Sequence, residues 1–531
     1  MAMSPGRLDQ ILYPFFKKDV EEKKITVEQA LNIIGCLWFK IADNTNLVPA
    51  SAEKLFGGAG SVPAVTLGGI DKDRHNAVND LTYLMLRVTE LLLIKDPNVN
   101  ARYHQGINSE MYRDRVAKVI LNTKAVPAVY NDTVNIATLE NQGVTPEHAR
   151  DYAVVGCVEL NSSGREYAST SSILFNLSAA MDLTIYNGKR PYMMGDEQIG
   201  PKTGEPKEFT TYEQFLDAFK KQLFFLLDRA IMLNEEFGKM HQKLLPTPLL
   251  SSFFLGPLDK GKDLIFGGAL YNSSGATHVA FADVCDSLNA IEDVVYNNKI
   301  FTMEQLIDAV KKNFTGYENL HAYLKNKAPK YGMHNQIAEE NSRWLIHILY
   351  EYYQGKTNYR GGKYRPAYWT MTNHAGLGKI GKALPSGRKD FELFSSGITP
   401  ASQMAKDLTA AYLSVAKLDS KNIPGGVALN MKYTPLTDSS QKEKYLNNFT
   451  SMIDGYFENG GMQVQYNIYT YDELKTARKN PSAYPGLVVR VSGYSAYFKD
   501  LNDAMKDELI TRTQYDLFSN KAVPYPGDNE D

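Results

Sequence analysis

Cysteine is scarce: the chain of 531 residues holds three, Cys36, Cys157 and Cys285, far apart. That spacing excludes a disulfide framework, a local zinc site and the Cys-x-x-x-Cys-x-x-Cys cradle of an iron–sulfur cluster. An excess of charge of either sign is also lacking, with a net value of -2 and no long single-sign run, which argues against a nucleic-acid partner. No stretch reaches the apolar length that spans a bilayer, and Met1 to Gln10 carries no apolar core behind a basic segment. A membrane span and a secretory signal are therefore not expected, and the cytoplasm is the default location. Internal repeats and low-complexity linkers are missing too. What remains is 43% apolar and 22% charged residues, the balance of an ordinary folded protein.

Helix start signals recur. Thr26-Val27-Glu28-Gln29, Thr211-Tyr212-Glu213-Gln214 and Thr302-Met303-Glu304-Gln305 each place Thr three residues before Gln, the pattern of a capping box. The first two open apolar-periodic runs, through Leu31, Ile34, Leu37 and Trp38 and through Phe215, Phe219, Leu223 and Leu227. Between the helices, short apolar runs at Val62 to Leu67, Val126 to Tyr130, Ala153 to Leu160, Gly426 to Met431 and Met462 to Tyr469 predict buried strands or loops. Glycine pairs punctuate the joins, at Gly57-Gly58, Gly68-Gly69, Gly267-Gly268, Gly361-Gly362, Gly425-Gly426 and Gly460-Gly461. The expected class is one large α/β body with strands inside and helices outside. Ala522 to Asp531 is polar and reads as a loose tail.

Three stretches carry chemistry-bearing residues. Gly376-Leu377-Gly378-Lys379-Ile380-Gly381 satisfies the G-x-G-x-x-G pattern, but no apolar strand leads into it and no βαβ spacing follows. Neighbouring His374 has no His or Cys at ligand spacing and reads as a hydrogen-bonded structural residue. Thr145-Pro146-Glu147-His148 predicts an N-cap with proline in the first turn and a short helix ending near Tyr152. Beyond it, Gly156-Cys157-Val158-Glu159 puts a thiol and a carboxylate two residues apart, on the same side of an extended segment. A carboxylate raises a thiol's pKa, which is wrong for a thiolate nucleophile. It is not wrong for hydrogen-atom transfer, which uses neutral S–H. Near the end, Arg490-Val491-Ser492-Gly493-Tyr494 holds a glycine that on spacing alone is a turn residue.

Taken together, the Gly493 string and Gly156-Cys157-Val158-Glu159 resemble the two signatures of the glycyl radical enzymes, the superfamily named after pyruvate formate-lyase. The second is similar to the active-site loop of its eliminase group, which includes glycerol, propanediol and hydroxyproline dehydratases, choline trimethylamine-lyase and isethionate sulfite-lyase. Further similar blocks run along the chain, among them Gly6-Arg7-Leu8-Asp9-Gln10, Thr66-Leu67-Gly68-Gly69, Arg360 to Pro366, Leu384 to Lys389, Leu429-Asn430-Met431-Lys432 and Gly461-Met462-Gln463-Val464-Gln465.

The resemblance implies a ten-stranded barrel of two antiparallel half-barrels ringed by helices. It divides the chain into a catalytic barrel at 1–479, a glycyl radical domain at 480–521 and the tail at 522–531. It implies that Gly493 stores the radical, because a carbon without a side chain can become planar between amide and carbonyl. Cys157 would form the thiyl and Glu159 would be the base, in a lyase that cleaves a carbon–heteroatom bond beside a hydroxyl-bearing carbon of a small substrate. Thr170, Leu174 and Trp369 fall at pocket positions. No cofactor or metal is implied in the chain itself. The radical would be installed anaerobically by a separate iron–sulfur activating enzyme of the S-adenosylmethionine type, on a homodimer.

Departures narrow this picture. Leu160 stands where eliminases carry proline, and Trp369 where many carry tyrosine. Leu174 replaces a tyrosine of the choline enzyme, which argues against choline. Gly156 stands where pyruvate formate-lyase has a second cysteine, which disfavours acyl transfer to coenzyme A. Trp369 and Leu174 could build an apolar pocket, which keeps arylacetate decarboxylation as an alternative. Family subunits carry a substantial portion ahead of the Gly6-Arg7-Leu8-Asp9-Gln10 block, so a fragment, a separate N-terminal half or a non-catalytic subunit is a further alternative.

Overall fold

A computed structural model describes residues 4–43, 62–195 and 197–526. The expected Gly57-Gly58 join and the last five residues of the expected tail lie outside the described residues. Among the described residues there are fourteen strands: β1 (Ala64–Gly68), β2 (Asn98–Tyr103), β3 (Ala128–Asn131), β4 (Tyr152–Val155), β5 (Glu159–Ser162), β6 (Ser169–Asn176), β7 (Ser274–Val279), β8 (Tyr364–Ala367), β9 (Asn430–Tyr433), β10 (Gln463–Asn467), β11 (Val488–Arg490), β12 (Ser495–Tyr497), β13 (Gln514–Asp516) and β14 (Lys521–Ala522). One sheet has the order β1-β2-β3-β10-β9-β13-β14 and a second the order β6-β7-β8. β1, β2 and β3 are mutually parallel, as are β10, β9 and β13, and the two sets meet antiparallel at β3 and β10. A parallel bridge between Tyr368 and Val427 joins the end of β8 to the segment entering β9.

Helices between the strands cover the sheets. All three predicted start boxes form: Thr26, Thr211 and Thr302 each accept from the backbone N–H three residues on, and the glutamines reach back. They open helices Val27–Ala42, Tyr212–Leu244 and Met303–Lys311. With helices outside, every residue of β1, β2, β3, β7, β8, β9 and β10 is buried, as expected of parallel strands covered on both faces. Several of these strands nonetheless carry alternating polar residues: Asn98, Asn100 and Arg102 on β2, Asn430 and Lys432 on β9, and Gln463, Gln465 and Asn467 on β10. A two-residue period puts each set on one face, so the strands enclose an interior of amides and cations. β6 differs: it is an edge strand, its first four residues are half-buried and Leu174 is exposed.

The block Gly6-Arg7-Leu8-Asp9-Gln10 fastens the start of the described chain to this core. Arg7 donates to the carbonyl of Gly68 and pairs with Asp151, while a carboxylate oxygen of Asp9 accepts from the Gly68 amide and the Thr82 hydroxyl. Beneath it, fully buried Arg102 pairs with Asp132 through two nitrogens and donates to the carbonyls of Ile70, Arg150 and Tyr152.

Two local expectations need correction. Ala153 to Leu160 is not one extended run: β4 and β5 form an antiparallel hairpin, because Gly156 adopts φ +61° and turns the chain. Cys157 therefore sits at the turn and Glu159 opens the next strand. The helix after Thr145 spans Pro146–Arg150, with proline in its first turn, but the Thr145 side chain makes no cap bond. The Thr145 backbone N–H donates instead to the Tyr271 hydroxyl.

Candidate active site

Two hairpin turns meet inside the sheets. β11 and β12 form the second hairpin, and at its turn Val491 N–H donates to the carbonyl of Tyr494 with Gly493 at φ +91°. A Cβ built on Gly493 would lie 2.4 Å from Cys157 Cβ and 3.1 Å from its Cα. Real Cβ atoms do not approach so closely, so one Cα–H bond of Gly493 points into the Cys157 residue. Glycine is required here twice, by backbone conformation and by this contact.

The two turns are tied together by side chains from distant strands. Asn98 Nδ2 donates to the carbonyls of Gly156 and Gly493, each at 2.9 Å. Thr370, just beyond β8, donates from N–H and hydroxyl to Ser492 Oγ. Asn467 exchanges two hydrogen bonds with the Arg490 backbone. Arg512, paired with Glu508, donates to the carbonyls of Arg490 and Val491. The glycine turn is thus held from four directions.

Cys157 is 4% exposed. Burial, then the charge of Glu159, pushes its thiol well above the ordinary range against the pull of Arg490, so the sulfur carries its hydrogen at neutral pH. The Glu159 carboxyl is pushed up to about 8, chiefly by burial, against the Ser171 amide, Arg365 and Thr170. Below that pH it is protonated, and burial alone keeps the thiol neutral. Ser171 N–H donates to Glu159 Oε1 at 3.3 Å, where a bulge in β6 bends the strand inward. Gly275 makes the room: a Cβ there would lie 2.1 Å from Glu159 Oε1. Among the described residues the other oxygen, Oε2, is buried with no hydrogen-bond partner. A buried acceptor left unmade is costly, and a substrate hydroxyl would satisfy it.

Of the expected pocket residues, Thr170 lies beside Glu159 and works against the rise of its carboxyl pKa, and Trp369 packs in the apolar cluster that holds Cys157, Val158, Val491 and Tyr494. Trp369 Nε1 is buried and without a partner among the described residues. Leu174 is not brought together with them; it lies further along β6, 39% exposed. The G-x-G-x-x-G stretch starts in the last residues of helix Asn373–Gly378 and runs on into the turn after it, and a Cβ at Gly378 would meet the Glu392 carbonyl at 2.7 Å. Its glycines serve packing. His374 bonds Thr370 through Nδ1 and faces Glu508 at 3.6 Å, as a structural residue.

Sequence reasoning missed Asn98, Gly275 and Thr370. The signal for Asn98 was partial: Asn98, Asn100 and Arg102 alternate with Val99, Ala101 and Tyr103, a period of two that gives the strand a polar face without telling an interior from solvent.

A buried thiol turn packed on a glycine turn within an α/β barrel defines the kind of protein. Residues 1–378 match the family model described as pyruvate formate lyase-like, and residues 394–499 match the glycine radical model. The chain belongs to the pyruvate formate lyase-like family of glycyl radical enzymes. It is 33% identical over 520 residues to trans-4-hydroxy-L-proline dehydratase of Clostridioides difficile, covering 97% of this chain and 64% of that one. It is 31% identical to (2S)-3-sulfopropanediol dehydratase of Klebsiella oxytoca, covering 97% and 62%. Among solved structures it superposes on the glycerol-bound, B12-independent glycerol dehydratase from Clostridium butyricum with TM-score 0.91 at 31% identity, covering 97% and 64%. The chain therefore spans under two thirds of the length of these relatives.

Proposed function

We propose that this chain carries the catalytic residues of a glycyl radical lyase that removes a leaving group from the carbon next to a hydroxyl-bearing carbon of a small substrate. The observation that carries the reading is the Gly493 Cα–H directed at buried Cys157, with the unpartnered oxygen of Glu159 in the same interior. An activating enzyme of the radical S-adenosylmethionine type removes a hydrogen atom from Gly493, with residues 480–521 as the radical-bearing unit of a homodimer. The Gly493 radical takes hydrogen from Cys157 S–H. The thiyl takes hydrogen from the substrate C–H that bears the hydroxyl, and Glu159 carboxylate accepts the hydroxyl proton. The resulting ketyl expels the leaving group from the adjacent carbon, and Glu159 returns its proton to it. The carbonyl product radical then recovers hydrogen from Cys157, and the thiyl recovers its own from Gly493. Burial excludes water from these radicals.

Support comes from the relatives named as dehydratases and from the protonation states: a neutral thiol suits atom transfer, and a carboxyl near pH 8 suits proton exchange with a hydroxyl. The portion that the relatives carry and this chain does not supplies the remaining pocket, in the same polypeptide or a separate one. Anaerobic assay with vicinal diols and hydroxyproline tests this. Cys157→Ser is expected to abolish release of carbonyl product while the radical at Gly493 still forms; turnover by that variant would sink the scheme.

A further inference from the structure

We infer that Asn98, Gln465 and Arg490 polarise the Gly493 peptide from both sides and thereby set how tightly the radical is stored; this rests on the glycyl radical reading above. A radical on a glycine carbon is stabilised when the attached nitrogen donates electron density and the attached carbonyl withdraws it. Both groups of Gly493 are engaged in the sense that strengthens this push and pull. Its N–H donates to Gln465 Oε1 at 3.2 Å, which makes the nitrogen more electron-rich. Its carbonyl accepts from Asn98 Nδ2 at 2.9 Å and from an Arg490 terminal nitrogen at 3.3 Å, which makes the carbonyl more electron-withdrawing.

The orientation of both amides is dictated by Arg490. A guanidinium can only donate. Its Nε–H points at Gln465 Oε1 at 2.9 Å, so that oxygen is the end left to face the Gly493 N–H, while the Gln465 amide nitrogen donates to Asn430 Oδ1. A terminal nitrogen of Arg490 donates to Asn98 Oδ1 at 2.7 Å, so the Asn98 amide nitrogen is the end turned to the glycine carbonyl. Arg490 is fully buried and forms no ion pair among the described residues; its bonds go to Gln465, Asn98, the Ser495 hydroxyl and the Gly493 carbonyl. A buried cation without a carboxylate is expensive to keep. Beside the carbonyl oxygen it favours the charge-separated form of the delocalised radical in a medium where charge is poorly screened.

The same Asn98 amide also donates to the Gly156 carbonyl, so the group that tunes the radical fixes the thiol turn against it. Asn98 and Gln465 are positioning residues by this reasoning, acting through Gly493 rather than on substrate. Each hydrogen bond of ordinary net strength corresponds to about a fivefold bias of the radical between Gly493 and Cys157.

The test is electron paramagnetic resonance of the protein after anaerobic treatment with a radical S-adenosylmethionine activating enzyme. The substitutions Gln465→Leu and Asn98→Leu are expected to concentrate spin on the glycine carbon and widen the splitting from its remaining hydrogen. Gln465→Glu keeps an acceptor for the Gly493 N–H and is expected to restore a splitting no wider than wild type. Thiol hydrogens exchange with solvent, so in D₂O the rate at which the splitting collapses reports transfer between Cys157 and Gly493. That rate should rise about fivefold in Gln465→Leu, which leaves the tie between Asn98 and the thiol turn in place, as storage at Gly493 weakens. A signal of wild-type splitting in both leucine variants overturns the inference and leaves the glycyl radical reading standing; a wild-type protein with no glycine signal overturns both. Should Gln465→Leu fail to fold, Asn98→Leu and Gln465→Glu read the two sides of the peptide by the same measurement.

Discussion

In the proposed scheme Cys157, Glu159 and Gly493 divide the chemistry between them, and burial decides the state of the two that titrate. Because the Glu159 carboxyl is raised to about 8, its base form grows as pH rises through that value. kcat/KM is expected to climb about tenfold per pH unit below 8 and level off above it, in a pH–rate profile. Glu159→Gln should lower turnover by about two to four orders of magnitude and remove the rise. A folded-state value above the ordinary carboxylate range also means that the folded protein holds this proton where the unfolded chain has released it. The resulting stability is complete at acid pH and is lost as pH rises toward about 8, so Glu159→Gln should flatten that slope in urea titrations. These three residues were legible as candidates through the resemblance of two short motifs, and the structure places the Gly493 turn against Cys157 with Glu159 two residues on. Asn98 was not: it reaches Gly493 across 395 positions of sequence, and only the packing of β2 beneath the second hairpin brings the two together.

At the level of elements, capping chemistry was the most legible feature, since a Thr and a Gln three residues apart close a helix end with local hydrogen bonds alone. Thr470 and Glu473 make the same box at the head of helix Tyr471–Lys479, in a block not marked beforehand. That helix packs on helix Asp503–Thr511 through Arg478, Asp503 and Asp507, next to the glycine hairpin. Thr470→Ala should cost about 1 kcal/mol, seen as a lower urea midpoint with an unchanged slope. Strand boundaries were less legible. The run from Ala153 to Leu160 has strand-forming residues throughout, and its break depends on one glycine taking a positive φ, which composition does not reveal. Polar strands hid for the opposite reason: the amides of β2 and β10 look like solvent-facing residues until the opposite wall supplies their partners.

On the scale of the whole molecule, a series of large apolar side chains is left exposed. Leu233, Phe237, Met240 and Leu244 repeat at intervals of three and four along the outer face of helix Tyr212–Leu244, and Leu249, Phe253 and Leu258 continue the exposure. Folded proteins rarely leave such surface to water. The double substitution Phe237→Glu and Leu244→Glu is expected to reduce binding of an apolar fluorescent dye while leaving the far-ultraviolet circular dichroism unchanged. Leu174, exposed on edge strand β6, does not join the cluster around Cys157. The direct measurement is paramagnetic resonance of anaerobically activated protein grown with either ordinary or α-deuterated glycine. A radical on Gly493 gives a doublet that persists in Cys157→Ser, collapses in that variant with the deuterated amino acid because no thiol remains to exchange the deuterium with solvent, and vanishes in Gly493→Ala. A Cys157→Ser signal indifferent to glycine labelling, or one that survives in Gly493→Ala, would contradict radical storage at that carbon.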